Sequence, residues 1–354
     1  MKFDRQAYFD IISGKRRDVF ARLARVFLSV LELPYGLVVR IRNFMYDKGL
    51  RKIHKLPVPV VSVGNLTVGG TGKTPFVAWL AQKYLDEGKF PAIVSRGYHA
   101  DESGWNDEAK ELKILLPDVP QAFSKNRFAA AQRLLAEHTG ENGTRKIDVI
   151  ILDDGFQHRK LFRDCNTLLI DVTNPLGYTR LTPRGLLREP ISGMKRANTV
   201  VLTRADSVAI AEKNKLREIV RHFAADVHLA EMTQIPKSLI FLSGKKQNID
   251  AISGKSALAF CGLGNPDAFF RTVTECGAVL KKTMVFADHH RYTNADISRI
   301  YEAKEQIDCK VIVCSLKDFV KIKKCPATGI DLCAIVISSD LLNTCSNFGH
   351  CFGL

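Results

Sequence analysis

The sequence predicts an α/β fold, a mostly parallel sheet with helices on both faces, followed by a smaller C-terminal α/β domain. Three observations predict it. Short β-branched apolar runs alternate with stretches of helical period, a glycine-rich turn joins the first run to a helix, and the polar clusters fall at the ends of the runs. Open α/β sheets collect ligands at such ends. In order, residues 59–63 form the first strand and a helix follows from Pro75. Residues 90–95 form a second strand, 100–111 a polar acidic loop, 120–124 a return to the sheet and 126–138 a helix. Strands follow at 147–152, 167–171 and 199–203, then a polar helix at 207–225. The pattern restarts with strands at 257–261, 283–286, 310–315 and 332–337 and helices at 266–276 and 294–306. The expected division is 1–56 for an N-terminal segment, 57–226 for the core and 227–354 for the smaller domain.

The stretch from Gly64 to Thr74, Gly-Asn-Leu-Thr-Val-Gly-Gly-Thr-Gly-Lys-Thr, organises the rest. Gly69, Gly70 and Gly72 free the backbone to turn its N–H groups toward an anion, and the helix N-terminus adds a positive dipole end. In a cradle of Thr67, Val68, Gly69, Gly70, Thr71 and Gly72, Lys73 reaches β- and γ-phosphates and the Thr74 hydroxyl holds Mg²⁺. Thr67 stands where the consensus has its first glycine, so the loop is a variant one. A strand ending in Asp153-Asp154 supplies a carboxylate for Mg²⁺, directly or through water, and either aspartate can be the direct ligand. Gln157 and His158 follow at once, placed to contact phosphate or acceptor, or to cap a helix. Arg184 and Arg188, in a proline-bounded loop, and Arg127, opening a helix, suit bidentate phosphate binding. Thr203-Arg204-Ala205-Asp206 has the shape of a guanine-reading stretch with arginine in place of lysine.

The balance of 52 Lys+Arg against 37 Asp+Glu gives +15, which favours anionic partners: phosphorylated ligands, an acidic membrane surface or nucleic acid. The last of these lacks an aromatic platform or reading helix. Of nine cysteines, eight lie from Cys261 onward without zinc spacing, which reads as reduced and largely buried thiols. Residues 18–45 carry Phe20, Leu23, Val26, Phe27, Val30 and Leu31 at helical spacing among arginines. Ser29, Glu32 and Pro34 interrupt the run, so it predicts an interfacial amphipathic helix, broken at Pro34, and not a spanning one. In the second domain the cluster Asp288-His289-His290 offers a general-base or orienting histidine.

Taken together, Gly64 to Thr74, Ser95-Arg96-Gly97-Tyr98, Asp153 to Arg159, Pro183 to Pro190 and Asp288-His289-His290 resemble the tetraacyldisaccharide 4′-kinases of lipid A synthesis, within the P-loop NTPase superfamily. The resemblance implies ATP and Mg²⁺ as cofactors and an acylated disaccharide 1-phosphate lipid as acceptor. It implies peripheral placement on the cytoplasmic face of the inner membrane, with no nucleic acid and no obligate protein partner. It also implies Asp107 as catalytic base, assisted by His289, with Glu108 beside it; the family's Gly-Asp-Glu-Pro stretch stands here as Asn106-Asp107-Glu108-Ala109. The rival reading is a membrane-bound P-loop ATPase or GTPase switch. Asp107 is expected in a first-domain loop, apart from His289 in the second domain. The resemblance runs from the N-terminal amphipathic stretch to about Lys321, and the role of the cysteine-rich chain after it is open.

Overall fold

The computed structural model describes residues 5–97, 105–141, 143–288, 290–322, 332–343 and 349–353. Two compact units divide the chain. One holds Met1–Gly97, Asp118–Thr233 and Asp340–Leu354, the other Tyr98–Pro117 and Gln234–Ser339. This differs from the expected linear division in two segments, because the described residues of 105–117 group with the later unit and those of 340–343 and 349–353 with the earlier one.

The first unit is built on β1 (Val60–Asn65), β2 (Pro91–Ser95), β3 (Gln121–Phe123), β4 (Val149–Asp153), β5 (Cys165–Asp171) and β6 (Thr199–Thr203). They run parallel in the order β6-β5-β1-β4-β2-β3. Every residue of β1, β2, β4, β5 and β6 is buried, as strands covered by helices on both faces require. Helices α3 (Lys73–Asp86), α5 (Arg127–Glu137) and α6 (Ile210–Phe223) supply buried Phe76 and Leu80, Ala130 and Leu134, and Leu216 and Val220. The chain leaves β1, builds β2 and β3 on one side, and returns to insert β4 against β1 before placing β5 on the other side. That reversal puts the loop after β1 beside the end of β4, a topological switch point.

Before this sheet come α1 (Arg5–Ser13) and α2 (Val19–Asp47). The break expected at Pro34 does not occur: α2 is one 29-residue helix with Pro34 inside it. Contacts on both sides of the proline hold it. Glu32 accepts from the Leu181 N–H at 2.8 Å, Tyr35 donates to the Arg188 carbonyl at 2.7 Å, and Arg159 donates to the Asn43 carbonyl at 3.0 Å. At the other end of the chain, Phe352 packs near Phe76, and its carbonyl accepts from the Tyr84 hydroxyl at 2.6 Å.

The second unit contains α4 (Asp107–Leu115), where a loop was expected. Asn106 caps it by accepting from the Ala109 N–H, and Ala109 and Leu112 bury one face. Strand β7 (His228–Phe241), whose residues as far as Thr233 fall in the first unit, was not expected either; it contains Pro236, a residue that lacks the N–H a strand interior needs. Its first residues, 228–232, pair with β6; Ser238 to Ile240 pair with β8 (Lys246–Asn248), so Pro236 falls between the two stretches. Then β9 (Ser256–Cys261), α7 (Pro266–Glu275), β10 (Val279–Val285), α8 (Asn294–Gln306), β11 (Val311–Ser315), the short α9 (Leu316–Phe319) and β12 (Leu332–Asn343) as far as Ser339 complete it. Its parallel strands lie in the order β10-β9-β11-β12. The described cysteines are all free thiols, and Cys165, Cys261, Cys309, Cys314 and Cys333 are buried.

Candidate active site

The site begins at the carboxyl end of β1. Gly72 takes a left-handed φ of 79° and caps α3, a conformation that disfavours a side chain. A Cβ added to Gly69 or Gly70 would meet nothing within 4 Å, so the loop is open on that side. Asn65 clamps it from within, donating from Nδ2 to the Thr67 carbonyl at 2.6 Å and accepting at Oδ1 from Lys73 Nζ at 3.2 Å. Thr67 is buried and bridges to Leu187. The Val68 N–H, expected to face phosphate, instead donates to the Leu186 carbonyl at 2.7 Å, so the usable cradle starts after it. Thr71 is buried, its carbonyl accepting from Thr203 Oγ1 at 3.0 Å.

Val63 pairs with Asp153, which sets the two carboxylates beside the loop. The approach is close: a Cβ on Gly64 would lie 2.6 Å from the Phe156 nitrogen, so only glycine lets the turn after β4 rest on β1. Asp153 is buried at the strand end, and Asp154 turns outward with φ 50°. Asp154 collects cations. Arg188 Nη1 reaches both its carboxylate oxygens at 2.8 and 2.9 Å, Lys73 Nζ lies 3.6 Å away, and Arg127 Nη1 donates to its carbonyl at 3.0 Å. Burial pushes the Asp154 carboxyl up, but Lys73, Arg188 and Arg127 outweigh it and hold it below the usual value. Burial lowers the Arg127 guanidinium against the pull of Asp154 and Asp153. Lys73 is only 10% exposed.

Gln157 bridges from Nε2 to the Asn65 carbonyl at 2.8 Å and to Glu189 Oε1 at 3.0 Å. Glu189, fully buried, also accepts from Asn43 and Arg196. Asn65 and Glu189 are the residues that sequence reasoning passed over; both lie inside stretches it singled out, where glycine and arginine drew the attention. Burial first, then Arg127, Arg163 and Lys160, push His158 down to about 4, so it is neutral at pH 7. Arg184 is not part of this cluster: its Nη1 donates to the Ile12 carbonyl at 3.0 Å, anchoring α1. Arg204 ion-pairs with Asp171 across the strand ends, which accounts for it without a base to read.

Asp107 and Glu108 occupy the first turn of α4 and therefore belong to the second unit, with Asp288 and His290, and not to a first-domain loop. Asp107 Oδ2 is 3.6 Å from Lys321 Nζ. Asp288 is held by Lys317 at 3.1 Å, and His290 Nε2 is 3.0 Å from Asp296 Oδ2. His289 lies outside the described residues.

Mg²⁺ asks for hard oxygen donors, one or two carboxylates, and otherwise water and phosphate. The Thr74 hydroxyl at the head of α3 and the Asp153 and Asp154 carboxylates at the end of the adjacent strand fit that demand. No cluster of three His, Cys, Asp or Glu side chains suited to a metal occurs among the described residues.

A strand, an anion-binding loop opening a helix, and a carboxylate-bearing neighbour strand define a P-loop nucleotide-binding enzyme. Residues 24–345 match the family model described as Tetraacyldisaccharide-1-P 4'-kinase, and the chain belongs to that family. It is 32% identical to the tetraacyldisaccharide 4'-kinase of Halothermothrix orenii, over 95% of this chain and 94% of that one. It is 37% identical to that of Geobacter metallireducens, over 85% and 89%. A crystal structure of LpxK from Aquifex aeolicus in complex with ATP aligns with a TM-score of 0.71 and 30% identity, covering 90% of this chain and 95% of that one.

Proposed function

We infer that this chain transfers the γ-phosphate of ATP to the 4′-hydroxyl of a tetraacyldisaccharide 1-phosphate. The observation that carries the reading is the Lys73–Asp154–Arg188 cluster at the head of α3, in a chain of this kinase family. Phosphoryl transfer leaves the protein mainly to position groups and to answer charge. Lys73 and the amides from Gly69 to Thr74 hold the phosphates, and Arg188 and Arg127 offer further positive charge beside them. Thr74 with Asp153 or Asp154 would hold Mg²⁺, which neutralises charge on the β- and γ-oxygens when bound. As the O4′–P bond forms and the bond to the β-phosphate oxygen breaks, Asp107 takes the hydroxyl proton, with His289 assisting. Offering γ-labelled ATP with a disaccharide-1-phosphate lipid in detergent tests this. Label on the lipid is the expected result; label appearing only as inorganic phosphate would establish the rival ATPase.

We infer further that α2 lies on the membrane surface, at the cytoplasmic face of the inner membrane. Phe20, Leu23, Phe27, Leu33, Leu37 and Phe44 are 55–72% exposed, at spacings of one helical face. Arginines flank them, so anionic headgroups attract the charges while the acyl boundary takes up the apolar side chains. No helix among the described residues is long and apolar enough to cross a membrane.

A further inference from the structure

Behind Asp107 lies a charged network that the phosphate loop does not use. Asp318, in α9, is fully buried; its Oδ2 accepts from the Gly262 N–H at 3.0 Å and from Ser315 Oγ at 2.6 Å. Lys321, just after α9, is 6% exposed, and its Nζ lies 3.5 Å from Asp318 Oδ1 and 3.6 Å from Asp107 Oδ2. One buried ammonium therefore joins a carboxylate fixed in the core to a partly exposed one on the first turn of α4. A cation needed only by Asp318 has no reason to span the packed pair of α4 and α9.

Among the described residues, Glu108 of α4 and Lys317 of α9 join Asp107 and Lys321 around the Glu111 carboxyl, Lys317 is itself paired with Asp288 at 3.1 Å, and the Tyr292 hydroxyl meets Asp318. Burial, reinforced by Glu108, pushes Glu111 up to about 8. Glu111 is thus uncharged at neutral pH and does not compete for the ammonium. Exposed ion pairs fix little, because solvent screens them and side-chain entropy opposes them. Here the lysine is already immobilised by Asp318, so the cost of ordering it falls on the fold and not on the pair with Asp107.

We propose that Lys321 is a positioning residue for the acceptor step: anchored on Asp318, its ammonium fixes the orientation of the Asp107 carboxylate. The inference rests on the reading of Asp107 as the base. A loose transfer transition state asks little base strength but exact placement, so a cation that trades basicity for orientation suits it.

The test uses the full-length protein with Lys321→Gln combined with Asp318→Asn, an amide pair that leaves no carboxylate stranded, together with Lys321→Arg and Asp107→Asn. The amide pair is expected to keep its fold and its KM for ATP, to lose about tenfold or more in kcat, and to show the acid limb of kcat moved upward by about one pH unit. The direction follows from the charge: without the cation the Asp107 pKa rises, so activity is lost at higher pH. Lys321→Arg should restore both. An amide pair with unchanged kcat and profile overturns the proposal, as does a lower kcat with an unshifted acid limb. A pair that cannot fold assigns Lys321 to the fold alone and overturns it too. Asp107→Asn separates the two levels: near-normal turnover there removes the base assignment itself, whereas an inactive Asp107→Asn beside an unshifted Lys321 variant removes only the positioning role.

Discussion

Lys73 sits in company that decides what its loss would do. The cluster around Asp154 keeps Arg188 and Arg127 when Lys73 is removed, so no buried carboxylate is left without a cation. Lys73→Ala does leave the buried Asn65 Oδ1 without this donor, so it should cost about 1–3 kcal/mol and lower Tm modestly without unfolding the protein. It should lower kcat by about 10²- to 10³-fold, the usual cost of one preorganised charge contact. Thermal melts and turnover on the same preparation check both, and near-normal turnover would remove the phosphate role. Two other residues tie stability to pH in opposite senses. His158 is pushed down to about 4 from 6.5, so its contribution is full above 6.5 and is lost as pH falls toward 4. Glu111 is pushed up to about 8 from 4.5, so its contribution is full below 4.5 and is lost as pH rises toward 8. Glu111→Gln keeps the shape and cannot ionise. It should raise Tm relative to the parent at pH 8 but not at pH 4.5, and an equal difference at both would mean that no ionisation is involved.

Helix α2 shows what tertiary anchoring does to a local rule. Proline inside a helix costs about 3 kcal/mol through the missing N–H and the clash with the preceding turn. Glu32 and Tyr35 nevertheless bind the 181–188 loop on either side of exposed Pro34 and keep the helix whole. Pro34→Ala should then stabilise the protein by about 1–3 kcal/mol, read as a rise in Tm and in denaturation midpoint; a loss of stability would show that the proline ring makes a contact the helix needs. Most elements of the first unit were legible because each strand is a short apolar run and each helix has a period. Strand β7 was hidden by Pro236, whose place between two pairing stretches only the register reveals. Helix α4 was legible in principle, since Asn106 followed by Asp107 and Glu108 is a helix-start signal, but a short acidic stretch with few apolar residues reads as loop. The phosphate side of the site could be read from spacing because loop and carboxylates are contiguous stretches. The Lys321 contact could not, because the ammonium and Asp107 stand far apart in the chain and no local pattern links them.

At the scale of the whole molecule, charge and exposed apolar surface point the same way. A net charge of +15 draws the protein toward anionic surfaces from a distance, and α2 presents side chains that gain only when buried. The two contributions can be pulled apart by salt, since each cation near an anionic bilayer is worth about 1 kcal/mol and is screened, whereas apolar burial is not weakened by salt. Truncating the N-terminus is a poor test, because it also removes Glu32, Tyr35 and Asn43 from their contacts with Leu181, Arg188 and Glu189. Substitutions on the exposed face are cleaner. Phe27→Asp with Leu37→Asp changes side chains that stand 64% and 59% exposed, so the fold and ATP affinity should be kept. Binding of the parent to anionic vesicles should weaken but persist as salt rises from about 0.1 to 0.5 M, and binding of the doubly substituted protein should vanish over the same range. Undiminished sedimentation of that variant with vesicles at the higher salt would mean that α2 is not the part that meets the membrane.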